Sequence, residues 1–392
     1  MSAPRSIVVV GASLAGLRAV DALRRRGFDG TLTWIGEESR LPYDRPPLSK
    51  QVLRGEWTPD RTALKANYDA LGADLRLGRR ATSLDVGARR VSLDDGTSVP
   101  FDGLVVATGA APRKLPGMDA LSGVHVLRTL DDALRIREEL GKKPRVAIVG
   151  GGYVGLEVAA SCRALGLDVT VVEALPLPLA PAIGETMARE IVEMHRAEGV
   201  DVRTSSGVSG FVGERDVEGL RLSDGSVVFA ELVVVGIGVV PNTAWLEGSG
   251  VALDGGVLCD SRLRTNVPGI VACGDVVRFE NALFGERMRV EHWTSAVEQA
   301  SAAVASLLDG DAAPPLATVP YFWSDQYDAK IQFAGRVAPN DALKVLEGSV
   351  KDRNLVAIYG RAGKMRGVLV VNKPAALIRN RKAITDGAAF PD

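Results

Sequence analysis

Apolar and polar positions along the chain switch between a strand period and a helix period, and the switches fall at glycine clusters. Ile7, Val8, Val9 and Val10 form an unbroken apolar run, the pattern of a strand buried on both faces. The run meets Gly11-Ala12-Ser13-Leu14-Ala15-Gly16. Leu17, Val20 and Leu23 then recur at helical spacing, and a second β-type run covers residues 31–35. The same order returns near the middle. Residues 146–149 run into Gly150-Gly151-Gly152-Tyr153-Val154-Gly155, followed by a helix pattern over 156–165 and a strand over 168–172. Each stretch predicts strand, glycine-rich turn, helix and strand, a βαβ unit whose first turn is built of small residues. Gly11 and Gly150 lie 139 residues apart, too far for a solenoid repeat. Two separate Rossmann-like domains are the expectation.

The rest of the pattern agrees with an α/β protein. Strands at 90–93 and 99–106 flank an Asp95-Gly96 turn, and 221–222 and 227–235 repeat that layout around Asp224-Gly225. Residues 130–140 and 185–198 read as helices. Beyond Tyr321 the texture changes. Short strands at 330–334, 342–346, 355–359 and 365–371 precede a helix at 375–384, which predicts a smaller C-terminal α+β domain after a linker at 311–315.

Composition narrows the function classes. The 392 residues hold 47 basic and 48 acidic side chains, so a strongly basic nucleic-acid binder is excluded. Hydrophobic residues at 46% supply real cores and exclude general disorder. No apolar run reaches the roughly 18 residues of a spanning helix. The longest candidate, 232–240, already contains two glycines. The apolar run near Met1 leaves no room for a signal peptide, and a cytoplasmic protein without a membrane partner is expected. Cys162, Cys259 and Cys273 form neither a disulfide framework nor a metal cluster, so no metal is expected.

The chemistry gathers at the turns. Gly150, Gly152 and Gly155 fit GxGxxG: one glycine for the tight turn, one for close approach of a pyrophosphate, one for helix–strand packing. The following helix offers free N–H groups to the phosphates. Glu173 ends the next strand 18 residues after Gly155, suited to ribose hydroxyls and repellent to a 2′-phosphate. No Arg or Lys occurs among Ala174, Leu175, Pro176 and Leu177, which favours NADH over NADPH. The first turn departs from the pattern at Ser13, and Glu37 follows Gly16 by 21 residues. Taken alone, either turn could be a structural βα turn. Ala107-Thr108-Gly109 closes another strand with small residues, and Gly274-Asp275 sets a carboxylate at a strand end, where it can accept hydrogen bonds from a polyhydroxyl chain.

These four motifs, with Thr265-Asn266-Val267-Pro268-Gly269-Ile270 before Gly274, together resemble the two-dinucleotide flavoprotein disulfide-reductase superfamily. Three segments narrow the resemblance: Tyr43-Asp44-Arg45-Pro46-Pro47-Leu48-Ser49-Lys50, Leu127-Arg128-Thr129-Leu130 and Phe322-Trp323-Ser324-Asp325-Gln326-Tyr327. They look like the NADH-dependent ferredoxin reductases of oxygenase systems, over residues 6–384.

The resemblance implies a glutathione-reductase-like fold. It has a discontinuous FAD domain (1–113 and 241–316), an inserted NADH domain (114–240) and a C-terminal interface domain (317–392). It implies FAD on Gly11, Ser13, Leu14, Ala15 and Gly16, with Glu37 at the adenosine ribose. Arg45 and Lys50 would approach the pyrophosphate and the flavin ring, with Ala81, Ala107, Thr108, Gly109 and Arg128 nearby. Gly274 and Asp275 would hold the ribityl chain. Glu291, His292 and Trp293 would lie at the pyrimidine edge and nicotinamide side, with a helix N-terminus near Thr294 pointing there. NADH would lie on Gly150, Gly152, Val154, Gly155, Glu157, Glu173 and the Gly236-Ile237-Gly238 loop. Lys50 and Glu157 would pair beside flavin N5. The plainer reading is a surface lysine and a glutamate stabilised by a helix dipole.

The implied activity is hydride transfer from NADH to FAD, then delivery of single electrons to an iron–sulfur ferredoxin that supplies an oxygenase. No cysteine precedes residue 162, so the relatives that use a cysteine pair beside the flavin are a poor match. Electrons should leave the flavin directly, because it releases them singly and nicotinamide does not. Cys162 and Cys273 read as packing residues, His195 as solvated on a polar helix, and His125 carries no signal. Residues 321–392 hold 12 basic against 7 acidic side chains. Arg379, Arg381 and Lys382 cluster on the last helix, either a docking patch for an acidic ferredoxin or an ordinary solvated face. A rubredoxin or a quinone as acceptor, and a redox-sensing flavoprotein on the same scaffold, are the competing readings. The sequence leaves monomer and weak homodimer both open.

Overall fold

The computed structural model describes residues 4–391. The chain divides into two compact units. One comprises Met1–Asp44, Ala63–Ala111 and Val240–Pro320; the other comprises Arg45–Thr62, Pro112–Val239 and Tyr321–Asp392. The sequence grouped residues 45–62 with the first domain and set the C-terminal region apart. By contact, both segments belong to the second unit.

The first unit is built on five parallel strands in the order Ile270–Ala272, Gly103–Val106, Ser6–Val10, Thr31–Gly36, Asp74–Leu77. Ser6–Val10 is the third of the five, and Ile7, Val8, Val9 and Val10 are all buried, which is why its apolar run is unbroken. Its helix, Leu14–Arg25, buries Leu17, Val20 and Leu23 and packs on the helix Trp293–Asp309. The chain leaves this strand with neighbours on either side, so a crevice opens at its carboxyl end, where Gly11 lies.

The second unit repeats the scheme with Asp201–Arg203, Val169–Val172, Val146–Val149, Leu232–Val235 and Val124–Val126, again all parallel. It also holds an antiparallel five-stranded sheet in the order Tyr321–Gln326, Ala329–Gly335, Lys364–Val371, Asn354–Arg361, Ala342–Ser349, packed against the helix Pro374–Thr385.

Two expected strands are each broken. The run 99–106 is Ser98–Pro100 in an antiparallel meander, then Gly103–Val106 in the parallel sheet. At the corner Asp102 accepts hydrogen bonds from the Arg5 and Ser6 amides at 2.9 Å each. The run 227–235 likewise splits into Val227–Phe229 and Leu232–Val235. There Glu231 accepts from the Arg145 amide at 2.8 Å and pairs with its guanidinium. In both units an acidic residue turns the chain from meander to sheet and ties it to the start of the central strand.

Candidate functional site

In the first unit, three strand ends converge on the glycine-rich turn. Gly11 N donates to Ile35 O, Ala107 N to Val10 O and Cys273 N to Val106 O. Gly11 has φ of 119°, and a Cβ there would stand 2.1 Å from Ala107 O; one on Gly16 would stand 1.8 Å from Gly11 O. Trp34 Nε1 pins the turn by donating to Gly11 O at 3.0 Å. Ser13 is the N-cap of the helix in an ordinary extended conformation, and its side chain makes no capping bond. The free amides of the first helical turn therefore face a ready anion site. Glu37 is exposed just past the strand end, and Ala81 is buried at the start of its own strand.

Gly274 reaches the same turn, since a Cβ there would stand 3.0 Å from the Ala15 Cβ. Its amide donates to Gln299 Oε1 at 2.7 Å. Gln299 Nε2 and Ser295 Oγ, both buried, have no hydrogen-bond partner. Such groups fit a polar cofactor that would satisfy them, since an unpaired buried donor is costly. Thr108 Oγ1 donates to Asn242 O at 2.8 Å, fixing the Ala107-Thr108-Gly109 end. The helix expected near Thr294 begins at Trp293, with His292 as N-cap. Trp293 Nε1 donates to Asp44 Oδ1 at 2.7 Å, a partner the sequence did not suggest. Glu291 is exposed and paired with Arg289.

The second unit holds the complete turn. A Cβ on Gly150 would stand 2.4 Å from Gly236 O, and one on Gly155 2.1 Å from Gly150 O. Nothing lies within 4 Å of a Cβ placed on Gly152, whose φ of −71° any residue adopts. The protein itself gives no reason for glycine there; a ligand backed against the turn does. Gly236 N donates to Val149 O, and Arg113 N to Gly238 O, shaping the Gly236-Ile237-Gly238 loop. Val154 is exposed on the first turn of the helix. The Tyr153 hydroxyl is buried without a partner, its ring against Phe322, and burial raises its pKa well above the usual phenol value. Glu173 has both oxygens engaged: Oε2 accepts from Gly151 N and Oε1 from Leu175 N, each at 2.7 Å. It braces the turn, and each oxygen keeps a second lone pair for a ribose hydroxyl.

Lys50 and Glu157 meet in this unit at 2.8 Å, only 4% and 6% exposed. Pro46 and Pro47 open a 3₁₀ turn, Pro46–Ser49, that delivers Lys50 to the helix Tyr153–Ala164. Ser161 Oγ anchors that turn by donating to Ser49 O at 2.7 Å. Glu157 Oε2 accepts from Lys50 Nζ and from Ser49 Oγ at 2.5 Å, and Oε1 accepts from Ser324 Oγ at 2.8 Å. Removing one partner of a pair this buried leaves an uncompensated charge, so the surface-lysine reading is set aside. Arg45 donates to Arg128 O in the same unit.

His195 corrects an expectation. It is fully buried, not solvated, and bonded on both ring nitrogens, to Gln326 and to Tyr327 Oη. Burial pushes its pKa down to about 4. The missed signal was helical spacing: Met187, Ala188, Ile191, Val192 and His195 share one buried stripe. Ser49, Ser324 and Gln326, all buried, lie in segments that carry the family resemblance but were given no role at the site, because nothing local to them points to Glu157 or His195. Arg379 is exposed, Arg381 lies over the Tyr321 ring, and Lys382 pairs with Asp386 at 2.6 Å.

All three cysteines are buried and unpaired, and burial pushes the Cys162 and Cys273 thiols up to about 12. Thiolate chemistry is thereby suppressed. Among the described residues there is no metal-binding cluster and no helix long and apolar enough to cross a membrane.

Residues 5–300 match the family model described as pyridine nucleotide-disulphide oxidoreductase, and residues 321–392 match the reductase C-terminal model. The chain belongs to the pyridine nucleotide-disulphide oxidoreductase family. It is 38% identical to rhodocoxin reductase of Rhodococcus erythropolis over 97% of this chain and 89% of that protein. It is 41% identical to the ferredoxin–NAD(+) reductase component of the p-cumate 2,3-dioxygenase system of Pseudomonas putida, over 85% of this chain and 81% of the relative. The structure of the covalent putidaredoxin reductase–putidaredoxin complex superposes with a TM-score of 0.93 at 32% identity, covering 98% of this chain and 93% of that one. The mixed α/β architecture expected from the sequence is the architecture of that putidaredoxin reductase structure.

Proposed function

We propose that this chain is an FAD-dependent NADH:ferredoxin reductase that feeds electrons to an oxygenase through an iron–sulfur ferredoxin. One observation carries the reading: two glycine-turn cradles lie in one chain whose cysteines are all buried and unpaired. Electrons enter from a nicotinamide, and no thiol is placed to take them onward. Bound FAD would supply the conversion of a hydride into two single electrons and a proton.

The chain's own residues bind and orient. The amides after Ser13 and the Gly11–Gly16 turn take the FAD pyrophosphate, Glu37 the adenosine ribose, and Asp275 with Gly274 the ribityl chain. Ala81, Ala107, Thr108, Gly109, Glu291, His292 and Trp293 line that cofactor, and Arg45 and Arg128 steer its phosphates. The turn at Gly150, Gly152 and Gly155 takes the NADH pyrophosphate, with Glu173 at the ribose, and Val154 and the Gly236-Ile237-Gly238 loop beside the dinucleotide. Glu157 orients the nicotinamide, and Lys50 holds positive charge where the reduced cofactor gains electron density.

By function, residues 1–113 with 241–316 (of which 45–62 pack in the second unit), residues 114–240 and residues 317–392 act as FAD, NADH and interface domains, in the cytoplasm. The exposed Arg379, with Arg381 and Lys382, steers an acidic ferredoxin. The test is NADH-driven reduction of purified iron–sulfur ferredoxins under argon, followed at the cluster absorbance. The reading expects turnover with at least one ferredoxin, faster with NADH than NADPH, and slower when Arg379 is changed to Glu. Flavin reduction without electron transfer to any ferredoxin would move the acceptor elsewhere.

A further inference from the structure

A buried hydrogen-bond chain leads from the last helical turn of Glu185–Ala197 to the Lys50–Glu157 pair. Its links are Tyr327 Oη to His195 Nδ1 at 2.9 Å, His195 Nε2 to Gln326 Oε1 at 2.8 Å, Gln326 Nε2 to Ser324 Oγ at 3.0 Å, and Ser324 Oγ to Glu157 Oε1 at 2.8 Å. His195, Gln326 and Ser324 are all fully buried.

The direction of every link follows from its ends. Glu157 accepts from Lys50 and Ser49 on one oxygen, so Ser324 donates to the other. The Ser324 oxygen then accepts from the Gln326 amide nitrogen, which can only donate. Gln326 Oε1 must accept in turn, so His195 carries its proton on Nε2. Nδ1 is left to accept from Tyr327. Burial keeps the imidazole in this one-proton form at neutral pH, with a pKa of about 4. Tyr327 sits in the two-residue turn between Tyr321–Gln326 and Ala329–Gly335 with φ of 56°, a conformation that favours glycine. Its hydroxyl on His195 fastens that turn.

We propose that His195 is a positioning residue for hydride transfer: through Gln326 and Ser324 it fixes the Glu157 carboxylate that orients the nicotinamide. The C-terminal sheet then completes the NADH-handling site as well as serving a ferredoxin. The inference rests on the role assigned to Glu157 above. Lys50 and Ser49 grip one carboxylate oxygen and the wire grips the other, so cutting the wire frees the carboxylate to rotate while leaving its charge in place.

The experiment uses the full FAD-loaded chain with Gln326→Met, which is unbranched and of similar length. Anaerobic stopped-flow over a range of NADH concentrations separates the limiting hydride-transfer rate from NADH affinity. Calorimetry measures NAD+ binding, and ¹⁵N NMR of the histidine side chains reads the tautomer. The expected result is a limiting rate lowered about tenfold or more, with NADH and NAD+ affinities within about twofold. The His195 signals should report an Nε2-bound proton and shift in Ser324→Ala. If Gln326→Met does not fold, Ser324→Ala is read in the same way. A limiting rate within twofold of wild type, a loss shared equally by rate and affinity, or a proton on Nδ1 would overturn the proposal. Wild-type protein that NADH does not reduce would instead remove the functional reading beneath it.

Discussion

An added Cβ would stand 2.1 Å from the Ala107 carbonyl oxygen at Gly11, and 2.4 Å from that of Gly236 at Gly150. The last glycines, Gly16 and Gly155, are equally confined, at 1.8 and 2.1 Å from the carbonyl oxygen of the first. The first glycines answer to the packing of the turn against the neighbouring strand end and the last to the packing of the helix against the turn, so all four would be needed whether or not a nucleotide bound. The two turns part company at three other places. The middle position is Ser13 in one and Gly152 in the other, where the protein leaves open space. The acidic residue after the second strand is exposed in one (Glu37) and braced on two amides in the other (Glu173). Seven residues past the first glycine stands Arg18, near Asp21 on the surface, or Glu157, buried on Lys50. The shared positions are architecture, and the differing ones are chemistry.

The largest effects should strike the architectural glycines alike. Gly11→Ala and Gly150→Ala each push a methyl into a backbone oxygen at positive φ, and should cost about 3–6 kcal/mol, read as a collapse of the denaturant midpoint. One turn tolerating alanine would break the equivalence. Next, Glu157→Leu should lose about 3–5 kcal/mol because Lys50 stays buried and unpaired. Arg18→Ala should change stability by less than ~1 kcal/mol, as expected of a surface pair. Equal losses would mean that the two helices do not differ as described.

A pH titration sharpens the contrast, since only the helix after the second turn is wired to a buried histidine. The folded pKa of His195 is about 4, below its ordinary 6.5. The unfolded chain therefore takes up the proton first. Stability present above pH 6.5 is lost as pH falls toward 4, by at most ~3 kcal/mol. A His195→Gln chain should show a flatter slope in that window. The smallest effect is also the most local. Gly152→Ala should leave the melting temperature unchanged and weaken NADH binding about tenfold, or 1.4 kcal/mol, whereas Ser13→Gly should leave FAD retention nearly untouched.

Much of this was legible where a period or a motif is local. Both central sheets announced themselves through apolar runs ending in glycine, and the helix at the chain's end runs Pro374–Thr385 where periodicity placed 375–384. Long runs misled where the chain turns a corner, because Asp102 and Glu231 interrupt strands that composition alone joins. The short strands Val257–Cys259 and Glu286–Met288 have three residues each, too few to show a period. The polar core was the least legible part. Ser324 finds Glu157 from 167 residues away, and His195 finds Gln326 from 131. A lone serine or histidine carries no trace of a partner that distant, and only the apolar stripe around His195 marked it as buried.

The most direct test of the central claim is anaerobic stopped-flow absorbance of the FAD-loaded protein mixed with NADH and then with an iron–sulfur ferredoxin. The account predicts rapid bleaching of the oxidised-flavin band by NADH, slower bleaching in Gly152→Ala at the same NADH concentration, and return of the band when ferredoxin is added. A protein that retains no flavin, or a flavin band that NADH leaves unchanged, would contradict it.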